Sequence, residues 1–136
     1  MAESSPTAPT SPPSSTSIRR VVLVGHCGYD SGSLKDLARR ALPDAEVLRV
    51  NRQSDLDAAT GPDALLLINR QLDGSFDAAD SRAMIQQLAG GPDAPRIMLV
   101  SNYPDAQAAA VEAGALPGFG KNDLADPDLI QRLKAL

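Results

Sequence analysis

The sequence predicts an α/β fold: a doubly wound parallel sheet of five strands in the order 2-1-3-4-5, with helices on both faces in a three-layer α/β/α arrangement. Three observations predict it. Four short apolar runs, Val21 to Val24, Val47 to Val50, Leu65 to Ile68 and Ile97 to Val100, are rich in branched residues and barely alternate with polar ones. Strands buried on both faces have that composition. The segments between the runs carry apolar residues at helical spacing, and the connections are short, so consecutive strands must run parallel through right-handed crossovers.

Taken in order, the first strand is Val21 to Val24, and the first helix is expected where Ser33 precedes Leu34, Leu37, Ala38 and Ala41, with Asp36 closing a capping box. The second strand, Val47 to Val50, is followed by Ser54 and Asp57, the same signature before a shorter helix. After the third strand, Leu65 to Ile68, a helix is predicted over Asp77 to Ala89, stopped by Gly90-Gly91-Pro92. The fourth strand, Ile97 to Val100, leads to an alanine-rich helix from Asp105 to Ala113 ended by Gly114. Pro117, Gly118 and Gly120 weaken the fifth strand around Leu116 to Phe119, which is expected short and at a sheet edge. A last helix begins near Asp126, with Pro127 at its first position and Leu129, Ile130, Leu133 and Leu136 on one side.

The chain of 136 residues is about one domain long, and two segments are expected: a Ser/Thr/Pro-rich disordered tail over residues 1–17 and a folded domain over 18–136. The tail has neither the basic start nor the apolar centre of a secretory signal, and nothing in the chain is apolar over a membrane-spanning length. No membrane association is expected, and a cytoplasmic location follows. The formal charge of −4, from 13 basic and 17 acidic side chains without a basic stripe, argues against nucleic acid as a partner. One cysteine, Cys27, and one histidine, His26, form no internal disulfide and do not complete a zinc site.

In this strand order a site lies at the carboxyl ends of the central strands. Gly25, His26, Asn69, Arg70, Ser101, Asn102 and Lys121 are delivered there. A metal or redox role for His26-Cys27 competes with the simpler reading of Cys27 as a small buried hydrophobe. Ser101 lacks the glycine-flanked elbow and relay of a hydrolase. Gly25, Gly28 and Gly32 miss the G-x-G-x-x-G interval. A cobalamin-binding pattern would want an aspartate at Val24 and a glycine at Tyr29.

Ser101 at the end of the fourth strand, Ala113-Gly114-Ala115, Lys121 seven residues after that glycine, and Asp73-Gly74 expected to open the third helix together make the domain resemble the receiver domain of two-component response regulators, a flavodoxin-like fold. The resemblance implies a metal-binding acidic pair after the first strand, an acceptor aspartate after the third, and a hydroxyl and a lysine that grip the phosphoryl group. Here Gly25-His26 stands in place of the acidic pair, in a loop that looks longer, and Ile68 or Asn69 in place of the acceptor. Ser101 and Lys121 are retained, Gly118 falls at the aromatic switch position, and Asn122 follows the lysine where a proline is expected.

An amide is no nucleophile toward phosphorus, and a glycine-histidine pair is a poor magnesium ligand. The expectation is therefore an atypical pseudo-receiver: no enzyme, no cofactor, no resident metal, and a phosphorylation-independent signalling or scaffolding module acting through protein contacts. Its partner would be an unidentified signalling protein or a second copy in a homodimer, with the surface around Ala108 to Ala113 implied by the resemblance. With no effector segment after Leu136, its signal is expected to pass to another molecule. The alternative is a sensor of an anionic or phosphate-bearing small molecule in a pocket built from His26, Asn69, Arg70, Ser101, Asn102 and Lys121. In that pocket Lys121, deprived of its usual carboxylates, must turn to solvent, find Asp30 or Asp73, or leave the site net positive.

Overall fold

The structure, a computed structural model, describes residues 17–136, and the tail expected over residues 1–17 lies outside them but for its last residue. Strand β1 (Arg20–Val24) is followed by α1 (Gly28–Ala41), β2 (Glu46–Val50), α2 (Gln53–Ala59) and β3 (Ala64–Asn69). Then come α3 (Ser81–Ala89), β4 (Arg96–Val100), α4 (Pro104–Ala113), β5 (Leu116–Phe119), a 3₁₀ turn (Lys121–Asp123) and α5 (Pro127–Lys134). The five strands form one parallel sheet in the order β2-β1-β3-β4-β5, as the alternation of apolar runs and helical segments requires.

Because side chains alternate across a strand, the continuous apolar runs feed two cores. Val22 and Val24 of β1 and Leu66 and Ile68 of β3 face one way, onto Leu56 of α2, Met84 and Ile85 of α3 and Ala110 of α4. Val21, Leu23, Leu65 and Leu67 face the other, onto Leu34 and Leu37 of α1 and Leu129 and Leu133 of α5. Each fully buried leucine or isoleucine contributes roughly 1.5–3 kcal/mol. The three layers, helices on either side of one sheet, hold the strand ends that carry the site.

Three helix starts differ from the expected ones. Helix α1 begins at Gly28 because Cys27 is its N-cap, the thiol sulfur accepting the Asp30 amide at 3.5 Å while the Ser31 hydroxyl donates to the Cys27 carbonyl at 2.8 Å. The loop after β1 is thus short, Ser33 lies inside the helix, and Asp36 pairs with Arg40 at 3.1 Å. Helix α2 starts at Gln53 without a side-chain cap, and the Asp57 carboxylate accepts from Nε2 of the Gln53 side chain at 2.8 Å. Helix α3 starts at Ser81, capped by Asp80, whose carboxylate accepts the Ala83 amide at 2.8 Å.

Residues 73–79 are consequently loop. Asp73-Gly74 does not open the helix: the Ser75 amide donates to the Asn51 carbonyl at 2.9 Å, and Gly74 sits at φ 121°. A side chain there would collide with the Asn51 backbone, so only glycine fits.

Strand β5 is short and lies at the sheet edge, with a register irregularity between its pairings to Met98 and Val100. The Gln107 side chain bridges the irregularity, donating to the Leu99, Ser101 and Phe119 carbonyls at 2.9, 3.0 and 3.2 Å and accepting the Gly118 amide at 3.2 Å. On the outer side, the Arg132 guanidinium donates to the carbonyls of Pro117 and Gly118.

Candidate functional site

The carboxyl ends of β1, β3 and β4 and the turn after β5 enclose a cavity of about 470 Å³. Asn69, Arg70, Ser101, Asn102 and Lys121 all line it, so five of the six candidate pocket residues come together. His26 does not. Its ring is fully buried at 0% exposure, with Nε2 at 2.8 Å from the Leu67 carbonyl. A carbonyl only accepts, so Nε2 carries the proton and Nδ1 is the bare nitrogen, which has no partner. Burial holds the His26 pKa below the usual 6.5, with nearby Lys121 and Arg49 acting in the same direction, while the Leu67 bond and Asp30 oppose them. The histidine expected at the mouth of the site is a neutral residue packed beneath it, because β1 turns at Gly25, at φ 74°, and directs the ring inward.

Cys27 is the reverse case. It is exposed and lines the cavity, its sulfur held by the first turn of α1. The expected buried hydrophobe is instead a helix cap, a role set by where α1 begins.

Of the two residues that end β3, Ile68 and Asn69, only Asn69 reaches the cavity. Ile68 is buried in the core, whereas Asn69 reaches the cavity and donates from Nδ2 to the Gly25 carbonyl at 3.1 Å and the Gln71 carbonyl at 2.7 Å. The amide staples the loops after β1 and β3. Asn51, just past the end of β2, does the same, donating to the His26 and Asp73 carbonyls at 3.2 and 2.7 Å, with Arg49 adding a contact to His26 O at 3.2 Å. These staples were not anticipated, since a single asparagine after a strand carries no pattern of its own.

Lys121 finds Asp30: the ammonium nitrogen lies 2.5 Å from the carboxylate, joining the turn after β5 to the first turn of α1. That bond holds the Asp30 carboxyl below its usual range. The cavity contains a second acid, Asp73, so its two cations and two acids balance and the site is not net positive. Arg70 lies with its guanidinium carbon 4.8 Å from the centre of the Tyr103 ring, a cation–π contact the sequence did not announce. Ser101, 8% exposed, accepts the Tyr103 amide at 3.1 Å, and Asn102 accepts the Asn122 amide at 3.2 Å. Among the described residues no three or more His, Cys, Asp or Glu side chains gather as a metal site, and no helix is long and apolar enough to cross a membrane.

No family model matches the sequence, and no curated protein matches it. Solved structures do. The signal receiver domain of a DNA binding response regulator protein from Colwellia psychrerythraea 34H superposes with a TM-score of 0.65 at 16% identity, over 85% of this chain and 95% of that one. The signal receiver domain of a signal transduction histidine kinase from Syntrophus aciditrophicus gives 0.59 at 20% identity, over 85% and 89%. The receiver domain of NtrX from Brucella abortus gives 0.54 at 18% identity, over 85% and 98%. At such identities what is shared is the path of the backbone, and that path is the fold of response-regulator receiver domains.

Proposed function

We propose that this chain is a phosphorylation-independent, receiver-like signalling or scaffolding module that acts through contacts with other proteins rather than as an enzyme. The observation that carries this reading is Asn69. It occupies the cavity at the end of β3 with an amide, and that amide is committed to two backbone carbonyls. A neutral amide offers no anionic oxygen to a phosphorus centre. At the end of β1, Gly25 and the buried His26 supply no carboxylate for magnesium, which prefers oxygen ligands in a tight octahedron. What persists around them is a scaffold that positions loops.

Incubation of the protein with magnesium and acetyl phosphate, followed by intact mass measurement, tests the proposal. No added phosphoryl group is expected. A hydroxylamine-labile gain of one phosphoryl group overturns it.

The alternative, a sensor of a small anion through Arg70, Ser101 and Lys121, draws less support from the geometry because one of its three donors, Lys121, is already engaged by Asp30. A ligand-dependent rise in melting temperature would favour it.

A further inference from the structure

We propose that the Arg70–Tyr103 corner of the cavity receives a carboxylate side chain presented by a partner protein; this rests on the protein-contact reading above and names the chemistry of the contact. The two cations of the cavity are in different states. Lys121 is neutralised by Asp30. Arg70, among the described residues, has no carboxylate in salt-bridge range, and its guanidinium is instead laid over the Tyr103 ring. Stacking holds the plane of a guanidinium and leaves its edge of N–H donors free, which is the geometry that matches the two oxygens of a carboxylate.

Beside it, Ser101 is nine-tenths buried and lines the same cavity. Its oxygen accepts the Tyr103 amide, while its own hydroxyl hydrogen has no acceptor among the described residues. A stacked arginine edge and an unengaged hydroxyl thus border one solvent-open space, in which Asp30 is taken by Lys121 and Asp73 makes no ion pair with Arg70.

The rim indicates a protein rather than a free ion. Tyr103 is 60% exposed, and Tyr29, between the lining residues Cys27 and Asp30, is 87% exposed. An exposed tyrosine stacked on an arginine is a pairing found at interface centres, where the ring is covered when a partner docks and the charged pair is desolvated. A free anion would leave the Tyr103 ring in water. Asp73 lines the cavity too and repels an incoming carboxylate, so it weakens the contact and supplies a second test with the opposite sign.

The full chain, isotopically labelled, is titrated with N-acetylaspartate methylamide, and the Arg70 Nε–H and Ser101 amide resonances are followed. Saturable shifts are expected, absent with N-acetylasparagine methylamide and stronger than with inorganic phosphate. Arg70→Gln should weaken binding about tenfold, the effect of losing one charge-assisted pair, and Asp73→Asn should strengthen it. Both substitutions lie on exposed residues, and the dispersion of the amide spectrum shows whether each variant is folded. An equal response to the asparagine compound, tighter binding of phosphate, no saturable response, or no change in Arg70→Gln overturns the proposal. Those results leave the phosphorylation-independent reading standing, since only the phosphodonor experiment bears on it.

Discussion

A buried histidine beneath a solvent-open cavity gives the protein a defined response to acid. His26 is neutral when folded and its pKa lies below the value of about 6.5 that it regains in the unfolded chain. Below that value the unfolded chain binds the proton first. Stability is therefore full above it and declines as the pH falls toward the lowered folded pKa. Urea midpoints measured from pH 7.5 to 5 should fall, and His26→Gln, which keeps an N–H for Leu67, should flatten the decline. Asp30 acts lower on the scale: its carboxyl is depressed by Lys121, so that contribution is present above the usual carboxylate range and lost on further acidification. At this scale the sequence located Asn69, Arg70, Ser101, Asn102 and Lys121 through strand order alone. It misplaced His26 and Cys27, because whether a residue after a strand points inward or outward is decided by the backbone at Gly25, at φ 74°, and by the start of α1.

The elements depend on contacts between segments distant in the chain. Gly74→Ala places a methyl group against the Asn51 backbone in a conformation that disfavours it, and should cost about 1–3 kcal/mol in chemical denaturation. Asp80→Ala removes the cap of α3 and should cost ~1 kcal/mol. Gln107→Leu leaves three carbonyls and the Gly118 amide around the β5 irregularity without their side-chain partner, and a loss of about 1–3 kcal/mol is expected. Apolar periodicity identified α1, α3 and α5, whose buried residues recur along one face, while α2 and α4 were read from a capping signature and from alanine content. Their first turns were less legible: the Ser33–Asp36 and Ser54–Asp57 patterns satisfy the spacing of a capping box, yet Cys27 and the Arg52–Ser75 bridge set the true starts. Gln107 could not be foreseen, because its partners lie on two strands whose register the sequence does not state.

For the whole molecule, the order 2-1-3-4-5 was readable because four unalternated apolar runs joined by short crossovers leave few other topologies. The balance of charge in the cavity was left open among several outcomes, since it turns on a pair 91 residues apart, Asp30 and Lys121. Such a scaffold should not need a divalent ion to hold its shape. Its melting temperature in EDTA should match that in millimolar magnesium to within a degree or so by calorimetry, because a ligand stabilises only what it binds.

The outer strand also limits how copies or partners can join this molecule. Pro117 has no amide hydrogen, and the carbonyls of Pro117 and Gly118 are occupied by Arg132. A foreign strand laid along that border would find neither a row of donors nor a row of acceptors, so growth of the sheet into a ribbon shared between chains is blocked there. Assembly on that flank has to proceed by side-chain fit, which can be reversed, and not by main-chain zippering, which tends to run on.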